Sequence, residues 1–131
     1  MIGRLSAWFS HRRPLGVQGE RYAARWLSRQ GYEILRRNVR LGRDEADLIA
    51  RGPDGCTLVI VEVKTRRESI PAPEASIHRD KRRHLTRIAQ RLQRRGAMDQ
   101  PIRFDVIAIV WPEGGEPDVR HYVNAFPAVG G

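Results

Sequence analysis

Cysteine is almost missing from these 131 residues: Cys56 stands alone, so no internal disulfide can form and a reducing, cytoplasmic compartment is expected. No apolar run approaches the ~20 residues that a membrane-crossing helix needs, so no membrane partner is expected. The longest such run, Val106 to Trp111, reads as a buried strand. His11, His78, His84 and His121 lack metal-ligand spacing and have no cysteine pair beside them, which argues against a zinc site. No glycine-rich loop follows a strand, so nucleotide-cofactor binding has no support. Lysine is nearly absent too. Of 24 basic residues, all but Lys64 and Lys81 are arginine. A planar guanidinium cannot replace a compact ammonium that touches a reacting oxygen, so each retained lysine marks a place worth inspecting.

What is present is positive charge, +9 overall from 24 basic and 15 acidic side chains. Such a balance favours polyanionic partners, because each phosphate neutralised releases a counterion. The excess is concentrated: between His78 and Arg95 a single acid, Asp80, stands among eight basic residues. The length suits one compact domain. Residues 1–15 read as a flexible basic tail rather than a transit peptide, residues 16–127 as the domain, and 128–131 as a short tail.

Val17 to Gln30 has helical periodicity, with Ala23, Ala24 and Leu27 inward and Arg21, Arg25 and Arg29 outward. Gly31 is the expected left-handed stop. Glu20, seven residues before Leu27, falls on the inward face, where an acid is unusual. Strands are expected over Tyr32 to Arg37, Glu45 to Ala50, Thr57 to Lys64 and Ile102 to Val110, with a short last one over Val119 to Val123. The third is apolar on both faces, which marks a central strand. Ser69 to Glu74, with Pro71 and Pro73, reads as a loop, and Arg79 to Arg94 as a second amphipathic helix. The order α-β-β-β-α-β plus one short C-terminal strand implies an α/β domain, a mixed sheet flanked by helices.

The turn Pro53-Asp54-Gly55-Cys56 sets the hairpin register and places Asp47 opposite Glu62, with Cβ atoms roughly 5 Å apart. Lys64, two residues past Glu62, points the same way. Opposed like charges destabilise a sheet, and a divalent cation is the natural compensation.

An acid on one strand, Glu-x-Lys on the next and a helical glutamate upstream resemble the PD-(D/E)XK nuclease superfamily and its restriction-endonuclease-like fold. More closely, the chain is similar to the YraN-type uncharacterised bacterial family placed in that superfamily. The resemblance runs through Gly19-Glu20, Gly31-Tyr32, Asn38 with Arg40, Glu45-Ala46-Asp47-Leu48-Ile49 and Val61-Glu62-Val63-Lys64-Thr65-Arg66. It continues through Lys81, Arg103-Phe104-Asp105-Val106 and Asn124-Ala125-Phe126, covering roughly residues 16 to 126. Two departures stand out: Asp44 occupies a position that is usually glycine in that family, adding charge near the site, and Ala46 replaces the nominal proline before Asp47.

The resemblance implies a Mg²⁺- or Mn²⁺-dependent endonuclease, a phosphodiester hydrolase acting on DNA rather than RNA, including branched or damaged substrates. Asp47, Glu62, the Val63 carbonyl and Glu20 would hold the ion, as hard oxygen ligands suit Mg²⁺. Lys64 would position the attacking water or stabilise developing charge. Lys81, Arg83, Arg87, Arg94, Arg66 and Arg40 are the candidate nucleic-acid contacts. One site per chain cuts one strand, so junction or double-strand cutting requires a homodimer.

Plainer readings stand beside these. Glu62 and Lys64 form a same-face ion pair, Glu20 pairs with a helix arginine, and Lys81 snorkels from a helix edge. At the level of the molecule the alternatives are a non-catalytic nucleic-acid-binding protein with the same fold, or an adaptor whose basic helix docks an acidic partner.

Overall fold

A computed structural model describes residues 14–69, 72, 77–95 and 100–129. Nearly all of the expected N-terminal tail, most of the loop around Pro71 and Pro73, and residues 130–131 lie outside the described residues.

Helix α1 (Leu15–Arg29) follows Pro14, whose ψ of 141° keeps it outside the helix. It starts two residues before the apolar periodicity does, because its first turn, Leu15 to Val17, buries nothing. At the other end Gly31 takes φ +93°, and the N–H groups of Gly31 and Tyr32 close back onto the Ser28 and Leu27 carbonyls at 3.1 and 3.0 Å. This is the glycine stop read from the sequence.

Among the described residues five strands follow: β1 (Glu33–Leu41), β2 (Asp44–Arg51), β3 (Leu58–Arg66), β4 (Ile102–Val110) and β5 (Asp118–Tyr122). Helix α2 (Arg79–Arg95) lies between β3 and β4 in the chain. The strands lie side by side in chain order. Every neighbouring pair is antiparallel except β3 and β4, which run parallel because α2 carries the chain back across the sheet. The mixed α/β sheet has the expected α-β-β-β-α-β order, with β5 as the short extra strand.

The central strand β3 is buried from Leu58 through Val63, since each face is covered by a helix. On one face Ala23, Ala24 and Leu27 of α1 pack on Val59, Val61, Ile107 and Ile109. On the other, Leu85, Ile88 and Ala89 of α2 pack on Ile49, Ile60, Phe104 and Val106. Edge strand β1 is four residues longer at its end than expected, because Arg36, Arg37 and Arg40 are exposed and leave only Val39 buried to signal it.

Strand β2 departs from plain alternation. Ala46 packs with the α2-facing cluster, although it is two residues from Leu48 on the α1 side. The β1–β2 register places Asn38, between Arg37↔Leu48 and Val39↔Ala46, opposite Asp47. Asn38 adopts φ +50°, a left-handed conformation that asparagine tolerates, so the ladder is irregular where Asp47 sits. No helix among the described residues is long and apolar enough to cross a membrane.

Candidate active site

The site begins with the β2–β3 turn. Asp54 accepts the N–H groups of Cys56 and Thr57, each at 2.9 Å, and Gly55 takes φ +76°, which fixes a tight Asx-type turn. The ladder that follows pairs Arg51 with Leu58, Ala50 with Val59, Ile49 with Ile60 and Leu48 with Val61. One step further in that register Asp47 meets Glu62, as the turn implied. The regular pairing ends there, and the Asp47 carboxylate accepts the Val63 N–H at 2.7 Å. That bond points the acid at the strand carrying Glu62 and Lys64, and it engages Val63 through its N–H.

Glu62 is 3% exposed. Lys64 Nζ stands 3.6 Å from its Oε1, and Lys81 Nζ stands 3.5 Å from its Oε2. The plain surface ion pair is therefore ruled out by burial, and a second cation shares the carboxylate. Oε2 is nonetheless a buried oxygen without a hydrogen bond among the described residues, while the Lys81 ammonium donates to the Glu45 carbonyl at 2.9 Å. Burial of Glu62 beside Asp47 outweighs both lysines and pushes its carboxyl up to about 7.

Helix α1 supplies Glu20 beside Asp47. Burial, then repulsion from Asp47 and Glu45, raise Glu20 to about 7 as well, with Lys81 opposing. The electrostatic neighbours of Glu20 are thus the site's own carboxylates and Lys81, and not an arginine of its helix. Gly19 explains how the helix comes so close: a Cβ there would collide with the Thr65 side chain next to Lys64 on β3. A glycine in a helix interior costs stability relative to alanine, and that cost was the available signal for this contact.

The donor set suits a hard divalent ion. Asp47 has Glu62 on one side and Glu20 on the other, one buried Glu62 oxygen lacks a hydrogen bond, and burial together with Asp47 pushes both glutamates toward protonation. Among the described residues no three acidic, histidine or cysteine side chains already converge to coordination geometry. The fit therefore rests on Asp47 and Glu62, which suits Mg²⁺, an ion that keeps several waters.

Residues 19–109 match the model of Uncharacterised protein family UPF0102. The chain belongs to the UPF0102 family. A UPF0102 protein of Pelobacter propionicus is 43% identical over 116 residues, spanning 87% of this chain and 83% of its own length. One from Geobacter sulfurreducens is 43% identical over 118 residues, 88% and 91% of the two chains. Another, from Caldicellulosiruptor saccharolyticus, is 41% identical over 119 residues, 88% of this chain and 99% of its own.

Other residues of this UPF0102 chain lie elsewhere than expected. Lys81 does not snorkel outward; it turns into the carboxyl cluster. Arg87 is not an outer-face contact either: its Nε and Nη2 grip Asp44 at 3.0 and 2.7 Å. Asp44, 2% exposed, is held below the ordinary carboxylate range by that bond, against its burial. Its charge is therefore neutralised locally and does not reach Asp47 and Glu62 as free negative charge.

Arg83 lies 3.8 Å from Asp80, and Arg94 Nε donates to the Gln90 carbonyl at 3.4 Å on the exposed end of α2. Arg40 pairs with Glu45 at 3.4 Å, and Arg66 bonds the Thr65 carbonyl at 3.1 Å; both stay exposed. Arg43, Arg83, His84 and Arg87, with Asp80, line a cleft of about 290 Å³ beside the β1–β2 turn.

Proposed function

We propose that this protein is a Mg²⁺-dependent endonuclease that hydrolyses phosphodiester bonds of DNA, branched or damaged DNA among its substrates. The single observation that carries the reading is Glu62. A buried carboxylate with one unsatisfied oxygen faces a second acid and has a lysine two residues along the same strand. Asp47 and Glu62 would hold the ion, with Glu20 and the Val63 carbonyl completing the protein's share of oxygen donors. A bound Mg²⁺ supplies Lewis-acid charge at the phosphate and lowers the pKa of a water.

The chain's own groups do the rest. The Val63 N–H holds Asp47 in orientation, so that ligand needs little reorganisation. Lys64, 26% exposed at its side chain, is open enough to meet a phosphate oxygen while still anchored near Glu62. Its ammonium stabilises charge developing at the phosphorus centre. Glu20, beside Asp47 on α1, would join the ion's oxygen donors or orient a water next to it. The cleft between Arg43 and Arg83 offers guanidinium donors to the strand's phosphates, which position a duplex without reading its sequence. The same surface serves the second reading, a nucleic-acid-binding protein without turnover. The two lysines already paired with Glu62 favour that reading.

The two separate in one assay. Cleavage of single-stranded, duplex, flap and four-way-junction DNA is measured with Mg²⁺ or Mn²⁺. Wild-type protein should cut at least one class, and Asp47→Asn and Glu62→Gln should abolish cutting while preserving the fold. Lys64→Ala should be nearly as severe, and Lys64→Arg should not rescue it, because the fork of a guanidinium cannot take the place of a point charge. Cleavage by Lys64→Ala at the wild-type rate contradicts the assignment.

A further inference from the structure

Both lysines of the chain end on one carboxylate. Lys64 reaches Glu62 from the same strand, and Lys81 arrives from the first turns of α2 on the opposite oxygen. Every other basic side chain is arginine. The two ammoniums together face three carboxyls, Glu20, Asp47 and Glu62, so the metal-free cluster is short of positive charge.

Lys81 differs from Lys64 in how it is held. Its hydrogen bond goes to the Glu45 backbone carbonyl at 2.9 Å, while Glu62 Oε2, 3.5 Å away, receives charge but no hydrogen bond. The tether is on the backbone, and the carboxylate oxygen is left uncommitted. Lys81 also shares a helix face with His84 and Arg87, both directed at Asp44, and with Arg91, whose guanidinium lies 3.7 Å from where a Cβ on Gly42 would sit. That face follows the β1–β2 hairpin and the basic cleft.

We propose that Lys81 is the resident counter-cation of Glu62, a positioning residue tethered by the Glu45 carbonyl and exchanged for the divalent ion when one binds. This rests on the metal-site reading above. A compact ammonium is suited to the task, since it puts a full charge at short range without the directed fork of a guanidinium. In the metal-free protein it keeps Glu62 from facing Asp47 with only Lys64 in support. Binding of a divalent cation at the same oxygen places like charges together, so the ion must overcome the lysine's hold. The released ammonium remains on the helix face that borders the cleft, where a phosphate of the nucleic acid is the matching anion.

The test is Mg²⁺ affinity without nucleic acid, by calorimetry at mildly alkaline pH, on wild type, Lys81→Gln and Lys81→Arg. Glutamine retains a donor for the Glu45 carbonyl and removes the charge; arginine retains the charge. Lys81→Gln should bind Mg²⁺ tighter by about tenfold, a difference of about 1.4 kcal/mol, and Lys81→Arg should stay at or below wild-type affinity. A purely structural lysine would not divide the two variants by charge. If Lys81→Gln does not fold, Lys81→Met removes the same charge and carries the same expectation. Affinity equal to or weaker than wild type in the folded neutral variant overturns the proposal. Failure of the underlying reading looks different: Glu62→Gln would then bind Mg²⁺ as wild type does, and both ideas fall.

Discussion

Glu62 and Glu20 give the metal-free protein an unusual pH response. Both carboxyls are pushed from 4.5 to about 7, by burial first and by Asp47 second. The folded state therefore holds protons that the unfolded chain has already released, and stability falls as pH rises through that interval. The stabilising contribution is complete below pH 4.5 and lost above about 7. Asp44 and Asp105 act with the opposite sign in a lower window, below the ordinary 3.8. Burial works against the Asp105 carboxylate, but His121 and Arg103 side chains and the Asn124 N–H outweigh it. Thermal melts without metal should show the melting temperature declining between about pH 5 and pH 8. Glu62→Gln should flatten that decline; an equal slope in the variant would place the proton uptake elsewhere.

At the scale of elements, the Asp44–Arg87 pair ties the β1–β2 hairpin to α2 and so keeps Lys81 and Glu45 together. Asp44 is buried and gripped by two nitrogens of Arg87, so removing the arginine strands a charge. Arg87→Ala should lower stability, and Asp44→Ala/Arg87→Ala should recover part of the loss in a denaturant-melt cycle. Additive losses would mean that the two side chains are not coupled.

This tie was not legible in the sequence, where Asp44 was only an extra acid and Arg87 one arginine among many. Pairing between a strand start and a helix face 43 residues away has no periodic signature. The Asp47–Glu62 opposition was legible, because a tight turn transmits register along an antiparallel pair. The full extent of β1 was hidden by its arginines, and Gly19 showed only as a costly glycine inside a helix, its partner Thr65 unmarked. Lys81 stood out by its rarity and by the resemblance; its direction depended on where α2 crosses β2.

On the whole molecule, 24 basic side chains outnumber 15 acidic ones, and two of the arginines, Arg87 and Arg103, are taken up by the buried Asp44 and Asp105. What remains outward should set salt dependence. Charge reversal at Arg83 and Arg94 should weaken DNA binding about equally for all sequences. The slope of log K against log[salt] should become shallower by about one unit for each phosphate that is no longer neutralised. Arg87 is excluded from that set because its loss would act through the hairpin. An unchanged slope would make this helix face a solvated surface and shift nucleic-acid binding to the β1 edge.

Whether Asp47 and Glu62 hold a divalent cation in this fold is tested most directly by the melting temperature with Mg²⁺ or Mn²⁺ while an oligonucleotide is bound. A ligand of the native state alone stabilises by RT ln(1 + [L]/Kd), about 2.7 kcal/mol at ~100 times Kd. Wild type should melt higher with the ion than without it, and Asp47→Asn should show no such rise. A wild-type melting curve that ignores the ion even with DNA bound would contradict the assignment.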